Sequence, residues 1–167
     1  QYHVTCMAVA YAGSTLAFSV SAASTVALTY QWRRDGSALP GETKATLVLA
    51  NVTAAQAGSY SVAVTNLVAT VTSNPVALTV LSPPVITTHP IGVSTTLGQS
   101  VSFTASATGT GPLIYAWRLN GTALAGATTT TLTLSNVQPA DAGSYSVVVT
   151  NTVGSMISNA AVLFVQL

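Results

Sequence analysis

The chain has 167 residues, enough for one large domain or for two domains of about 80 residues each. Only 4% of the residues are charged, 49% are hydrophobic, and the net charge at pH 7 is +1. The four Lys and Arg side chains are too few to neutralise a run of phosphates, so the composition excludes a nucleic-acid-binding protein.

The first charge-free stretch, residues 4–31, is interrupted by Gly13 and by many Ser and Thr residues. Its apolar residues alternate with polar ones, which is typical of β-strands, whereas a membrane-spanning helix needs about 20 consecutive apolar residues. We therefore predict strands here and no membrane span. Cys6 is the only cysteine, so no disulfide can form within the chain, and we predict that it is a small buried apolar side chain.

An internal repeat organises the chain. The interval from Trp32 to Trp117 is the same as the interval from Tyr60 to Tyr145. The flanking residues also match, because Tyr-x-Trp-Arg surrounds each tryptophan and Ala-Gly-Ser-Tyr-Ser-Val surrounds each tyrosine. Self-similarity at a fixed spacing indicates two copies of one fold. We predict domain 1 over residues 1–81, a short proline linker over residues 82–84, and domain 2 over residues 85–167.

Within each copy, short alternating runs are separated by turn residues, and no run has the 3.6-residue period of a helix. Asn120-Gly121 follows such a run in the second copy, and Asp35-Gly36 does so in the first. Both pairs favour tight hairpin turns, because their residues tolerate positive φ. The sequence therefore predicts an all-β protein. In the second copy we predict strands at residues 85–88, 93–96, 100–107, 113–119, 123–126, 130–135, 143–151 and 156–166.

The repeated residues resemble those of the immunoglobulin superfamily, in particular intermediate-set-like tandem repeats of the kind found in large secreted bacterial surface proteins. Trp32 and Trp117 resemble the buried tryptophan of strand C, and the segment from Asp141 to Tyr145 resembles the Asp-x-Gly-x-Tyr corner before strand F. The resemblance implies two tandem Greek-key β-sandwiches. It also implies that the hydroxyl groups of Tyr60 and Tyr145 donate hydrogen bonds to the backbone near the E–F corner.

The family places two bridging cysteines on strands B and F, where this chain has Val20 with Val62 and Ala105 with Val147. Neither copy can form this disulfide, so the resemblance implies sandwiches without core disulfides. Each missing bridge corresponds to roughly 2–4 kcal/mol of stability, and apolar packing of these side chains replaces part of it. The predicted structural core comprises Trp32, Trp117, Tyr60, Tyr145, Val20, Val62, Ala105 and Val147.

The titratable side chains are too few and too scattered for catalysis. Asp35 lies in a hairpin of the first copy, and Asp141 lies at a corner of the second, where we predict that it caps the turn by accepting backbone N–H bonds. His3, His89 and Cys6 share no metal-ligand spacing. We predict no enzyme activity, no cofactor and no metal.

The densest group of charges comprises Arg33, Arg34, Asp35, Glu42 and Lys44. Two interpretations are open. The group is a solvated hairpin with weak cross-strand pairs, which we favour, or it is a docking site peculiar to the first copy.

Two triplets match the N-glycosylation pattern Asn-x-Thr. They begin at Asn51 and Asn120 and predict glycan attachment in a host that modifies such triplets. Thr-rich strands could also carry O-linked sugars.

Low charge and hydroxyl-rich strands favour a non-catalytic structural protein that is extracellular or at the cell surface. Few charges oppose contact between copies, so the leading hypothesis is a self-associating unit of a surface layer, stalk or filament. The subunit contacts are then expected at the predicted edges, Gln1–Thr5 and Ala161–Leu167. The partners are other copies or neighbouring domains.

Two alternatives remain open. One is an adhesin, or a module that binds a carbohydrate or protein ligand, through the loops Ala22–Leu28 and Thr108–Leu113. These loops lack the aromatic residues that commonly anchor partners. The other alternative is a spacer fragment of a larger secreted multidomain protein.

Overall fold

The computed structural model describes residues 7–166. These residues form two compact units, the first ending at Leu81 and the second beginning at Ser82. Both units consist of β-strands with one short 3-10 helix each, so the predicted all-β fold of two tandem sandwiches is confirmed. No helix within residues 7–166 is long and apolar enough to cross a membrane.

The first unit has two layers. Its strands within the described residues are β1 (Met7–Tyr11), β2 (Leu16–Ser19), β3 (Thr29–Arg34), β4 (Ser37–Ala38), β5 (Thr46–Leu49), β6 (Gly58–Thr65), β7 (Thr70–Thr72) and β8 (Val76–Leu81). The larger layer has the order β1, β8, β6, β3, β4, with β7 beside β6, and the other layer pairs β2 with β5. A 3-10 helix, Ala54–Gln56, precedes β6.

The second unit repeats this plan. Its strands are β9 (Val85–Thr88), β10 (Val93–Thr96), β11 (Val101–Thr104), β12 (Ser106–Thr108), β13 (Ile114–Leu119), β14 (Thr122–Ala123), β15 (Thr131–Leu134), β16 (Gly143–Thr150), β17 (Ser155–Ile157) and β18 (Ala161–Gln166). The larger layer has the order β10, β18, β16, β13, β14, with β17 beside β16. Facing it, β11 pairs with β15 and β12 with β9. The 3-10 helix here is Pro139–Asp141.

Three aromatic rings fill the centre of each sandwich. In the second unit the ring of Phe103 lies 4.8 Å from that of Tyr145 and 6.4 Å from that of Trp117, measured between centroids. In the first unit Phe18 occupies the same place, and its ring is stacked 5.1 Å from that of Tyr60. Alternate side chains of a strand point to one face, so the period-two pattern places these rings between the two layers.

Three predicted strands of the second unit differ from the structure. The strand predicted at 100–107 is divided at Ala105 into β11 and β12, and a register shift lies between Ser106 and Ala107. The strand predicted at 156–166 is divided around Ser158, whose hydroxyl accepts the amide proton of Val147 at 3.0 Å. At both divisions the regular backbone hydrogen bonding between strands is interrupted.

The strand predicted at 123–126 is wrong beyond Ala123. The chain turns instead, because Gly126 has φ of 75° and the amide of Ala127 donates to the carbonyl of Leu124 at 3.3 Å. Glycine adopts this positive φ without steric cost.

The prediction that Ala161–Leu167 is an exposed edge is also wrong for the described part of that segment. Strand β18 pairs with β16 on one side and in parallel with β10 on the other. The pairing with β16 involves residues 161–163 and the pairing with β10 involves residues 163–166, so each residue of β18 has a partner strand but only Leu163 has one on both sides. The other predicted edge, Gln1–Thr5, lies outside the described residues, as do His3 and Cys6.

We expect the central rings to dominate stability. Phe103→Ala removes a side chain that is 0% exposed and should lower the free energy of unfolding of the second unit by about 3–5 kcal/mol. The matched change Phe164→Ala, at a side chain that is 63% exposed, should cost less than about 0.5 kcal/mol. Denaturant unfolding of both variants tests this, and equal losses would contradict the assignment of Phe103 to the core.

Candidate functional site

The eight residues predicted for the structural core lie between the layers of their units, none more than 8% exposed. The indole nitrogen of Trp32 donates to the carbonyl of Lys44 at 2.9 Å, and that of Trp117 donates to the carbonyl of Thr129 at 2.8 Å. Each buried indole N–H therefore has an acceptor, as burial of a polar group requires.

Both corner tyrosines close the turn that precedes the central strand. The hydroxyl of Tyr60 donates to the carbonyl of Gln56, and that of Tyr145 donates to the carbonyl of Asp141, each at 2.7 Å. Asp141 also accepts the backbone N–H of Gln138 at 2.8 Å through its carboxylate. Burial, together with the nearby Asp141 charge, raises the pKa of Tyr145 above its ordinary value near 10.

The charged hairpin of the first unit is used locally. The carboxylate of Asp35 accepts the amide of Ser59 at 2.8 Å, and Asn120 binds Ser144 in the same way at 2.9 Å in the second unit. Arg34 donates to the carbonyl of Ala55 at 2.9 Å and lies 3.9 Å from Asp35, the one ion pair within residues 7–166. These contacts stabilise turns and supply no pair of free catalytic groups.

The remaining predicted polar sites are separate from one another. Asn51 and Asn120 are both exposed, each with φ of 49°, although the side-chain oxygen of Asn120 is engaged by Ser144. His89 is half-buried, and its Nδ1 accepts the amide of Asn159 at 3.0 Å. Within the described residues, no three His, Cys, Asp or Glu side chains lie close enough to hold a metal ion.

The predicted binding loop Thr108–Leu113 is hydrogen-bonded to the first residues of its own unit. Asn151 donates from Nδ2 to the carbonyl oxygens of Ser82 and Thr110, each at 2.8 Å. The amide of Thr110 donates to the carbonyl of Ser82 at 3.1 Å, and its hydroxyl accepts the amide of Ser82 at 2.8 Å. The first residues of the second unit are thereby fixed to this loop.

The predicted binding loop Ala22–Leu28 of the first unit has a different environment. It borders a pocket of about 340 Å³ whose lining is mainly apolar. The lining residues are Ala27, Thr29, Thr65, Asn66 and Leu67.

The outer face of the larger sheet of the second unit exposes several apolar side chains. Strand β16 pairs with β13, β17 and β18. Along these strands, residues that point into the core alternate with residues that point outward, and the register places six apolar side chains on the outer face. Ile114 is 59% exposed, Ile157 is 55% exposed and Phe164 is 63% exposed. We call this surface the apolar sheet face, and it comprises Ile114, Ala116, Val148, Ile157, Val162 and Phe164.

The first unit does not repeat the apolar sheet face. At the equivalent positions of the first copy, Thr29 replaces Ile114, Thr72 replaces Ile157 and Thr79 replaces Phe164. The other three counterparts are Gln31, Ala63 and Ala77. The two copies share their cores and differ at these six positions, although β1 of the first unit exposes Val9 and Tyr11 on the same face of its sheet.

Residues 83–151 match the family model described as Immunoglobulin domain. Roundabout homolog 1 of mouse, rat and human is 30% identical over 151 residues, covering 79% of this chain and 9% of that protein. An I-band fragment of titin has a TM-score of 0.78 at 18% identity, covering 100% of this chain and 65% of that chain. The insect immune protein hemolin has a TM-score of 0.76 at 21% identity, covering 98% of this chain and 46% of that chain.

The protein is therefore a tandem of two β-sandwiches with the immunoglobulin-superfamily fold, and the resemblance inferred from the tryptophans and the tyrosine corners is confirmed. The chain spans about 9% of the length of the curated relatives it matches. At such low sequence identity, the titin and hemolin structures show the fold alone. Any specific activity must be argued from the surfaces of this chain.

Alkaline pH should destabilise the second unit through Tyr145. Its pKa is raised in the folded state, so its contribution to stability is complete below the unfolded value near 10 and is lost as pH rises through the folded pKa. Tyr145→Phe should lower stability at neutral pH by about 1 kcal/mol, because the bond to Asp141 is lost, and should weaken the decline above pH 10. Denaturant unfolding between pH 8 and 11 measures both effects; an unchanged decline in the variant would contradict this role.

Asn151 should matter more to the second unit than Asn66, its counterpart in the first copy, matters to the first unit. The substitution Asn151→Asp keeps the acceptor oxygen but removes both N–H donors to Ser82 and Thr110. We expect a loss of about 1–3 kcal/mol in the second unit. Asn66→Asp removes one longer bond, 3.3 Å to the hydroxyl of Ser24, and should cost less. Thermal unfolding of the two variants provides the comparison, and equal losses would show that the bonds of Asn151 contribute little.

Proposed function

We propose that this chain is a non-catalytic, extracellular structural and adhesive module that self-associates through the apolar sheet face of its second unit. The carrying observation is that Ile114, Ile157 and Phe164 all have Thr at the equivalent positions of the first unit. Thr at these positions of the first unit shows that the fold does not require an apolar side chain there, although β1 of that unit exposes Val9 and Tyr11 on the same face of its sheet. Ile114, Ile157 and Phe164 expose apolar area to water, which burial against a partner would remove.

A second copy of the chain is the partner that the charges favour. Arg118 is the only charged residue on the sheet strands that form this face, and the net charge of the chain is +1, so two like faces repel each other weakly. A twofold arrangement brings the same patch of each copy together, and an apolar patch is complementary to itself. Arg118 and the hydroxyl groups of Ser144 and Ser146 lie between the apolar side chains of β18 and those near Ile114, so the proposed interface contains a polar row whose hydroxyl groups can bond across it.

A solved structure with the same fold also supports an adhesive role. The domain arrangement of hemolin is described as having implications for homophilic adhesion. That description supports an adhesive role for this chain, for which we propose an extracellular location. The structural use of Asp35 and Asp141 in turns supports a role without catalysis. A twofold contact through this face alone gives a closed dimer, so a surface layer, a stalk or a filament would need a second kind of contact as well.

Copies of the chain that associate through the apolar sheet face pack face to face and do not pair strand edges. Every residue of β18 pairs with a strand of its own unit, although only Leu163 pairs on both sides, and β18 lies between β10 and β16 in the strand order. Its side chains Val162 and Phe164 nevertheless point outward and belong to the apolar sheet face. The C-terminal strand thus contributes side chains rather than backbone hydrogen bonds to the proposed contact.

Replacement by the residues of the first unit gives a matched test. The triple variant Ile114→Thr, Ile157→Thr, Phe164→Thr should weaken self-association at least tenfold, which corresponds to a loss of about 1.4 kcal/mol or more. Both copies carry the change, so each interface loses six apolar side chains. Sedimentation velocity over a concentration series measures the association constant.

The control carries Val9→Thr and Val48→Thr, two exposed side chains of the first unit that lie outside the apolar sheet face. We expect the association of this variant to equal that of the original chain. A chain that remains monomeric at high concentration, or a control that weakens as much as the triple variant, would overturn the proposal.

A further inference from the structure

The loop end of each unit is built around one asparagine, Asn66 in the first unit and Asn151 in the second, at equivalent positions of the repeat. In both units its side-chain oxygen accepts two backbone N–H groups of the turn that follows, at 2.8–3.0 Å. The turn is therefore the same in both copies. The side-chain nitrogen, which carries two further donors, is used differently.

In the second unit both donors bind backbone. Asn151 donates to the carbonyl oxygens of Ser82 and Thr110, and thereby fixes the segment Ser82–Pro84 between the loop and the turn. Pro84 is buried. A Cβ built on Gly154, in the turn, would lie 3.6 Å from the Cβ of Pro83, so the proline-bearing segment lies directly against the turn. We call this bound segment the linker strap.

The first unit has the same turn beside an apolar pocket. Among the described residues, Asn66 donates only to the hydroxyl of Ser24, at 3.3 Å, and an amide nitrogen has a second donor. The next two residues are apolar and exposed, Leu67 at 95% and Val68 at 86%. Val153, the counterpart of Val68 in the second unit, is only half-exposed.

We propose that this end of the first unit is the receptor for a linker strap supplied by an immunoglobulin-like unit that precedes it in the natural protein. The occupant is an extended, uncharged segment of the type Leu-Ser-Pro-Pro. A carbonyl of this segment accepts a hydrogen bond from Asn66, as that of Ser82 does from Asn151, and its prolines pack against the turn that follows Asn66, as Pro83 packs against Gly154. The positions equivalent to Ser82–Pro84 fall before Gln1. This inference is independent of self-association through the apolar sheet face.

One difference between the units determines how closely the strap approaches. Gly109 lies so near the linker strap that a Cβ built on it would be 2.8 Å from the carbonyl oxygen of Pro83. The first unit has Ser24 at this position. A strap on the first unit therefore lies further from the loop and contacts mainly the turn.

An extension of the full chain tests the inference. The sequence Leu-Ser-Pro-Pro-Val is copied from residues 81–85 and placed directly before Gln1. Each added residue then stands at the position of the first copy that is equivalent to the residue from which it was copied. We expect the melting temperature of the first unit to rise by about 4 °C or more. Slower amide exchange at Leu67 and Val68 should accompany this rise. The control extension Gly-Ser-Gly-Ser-Val has the same length without the prolines and should change neither.

Asn66→Asp separates the proposed contact from other effects of added residues. The carboxylate keeps the acceptor for the turn but has no N–H group for the strap, so the gain from the Leu-Ser-Pro-Pro-Val extension should fall by at least half. Asn151→Asp, the matched change in the second unit, should leave that gain intact. Equal melting temperatures with the two extensions, or a gain unaffected by Asn66→Asp, would overturn the inference.

Discussion

A stacked contact between a phenylalanine of the smaller layer and the corner tyrosine of the larger layer holds the two layers of each sandwich together. Phe18 with Tyr60, and Phe103 with Tyr145, lie beside the positions where the family has its disulfide, and these positions hold Val or Ala here. A disulfide restricts the unfolded chain, whereas these rings stabilise only the folded state by burial. The stability of both units therefore depends on close packing at one layer of side chains. The tyrosine hydroxyls extend this layer to the corner turns.

The internal repeat made the fold accessible from sequence. Side chains of identical type at a constant interval had to occupy equivalent places, and Trp32 and Tyr60 identified those places through their likeness to a known pattern. Phe18 and Phe103 were missed, although the same interval separates them and each lies just before a predicted core position, Val20 or Ala105. That interval also relates Asn66 to Asn151. A full comparison of the two copies would have found both pairs.

Other features could not be read from local pattern. Whether Ala161–Leu167 is an edge depends on pairing with β10, near the start of the second unit, and alternation within one strand carries no information about its neighbours. The apolar sheet face was hidden for a similar reason. In an alternating strand with apolar residues on both faces, composition does not distinguish the core from an exposed surface. The register between β13, β16 and β18 was needed to bring Ile114, Val148 and Val162 onto one side.

The parallel pairs β1 with β8 and β10 with β18 have a mechanical consequence for each unit. Within a unit, one partner of the pair lies near the beginning of the chain and the other near its end. Tension applied to the two ends of a unit therefore pulls these strands in opposite directions along their length. The ladder bonds from Val93–Leu163 to Thr96–Gln166 are loaded in shear together instead of opening one at a time. Forced unfolding of each unit must then break this ladder in one cooperative step, so the strand pairing that closes the sheet also sets the unit's resistance to stretching.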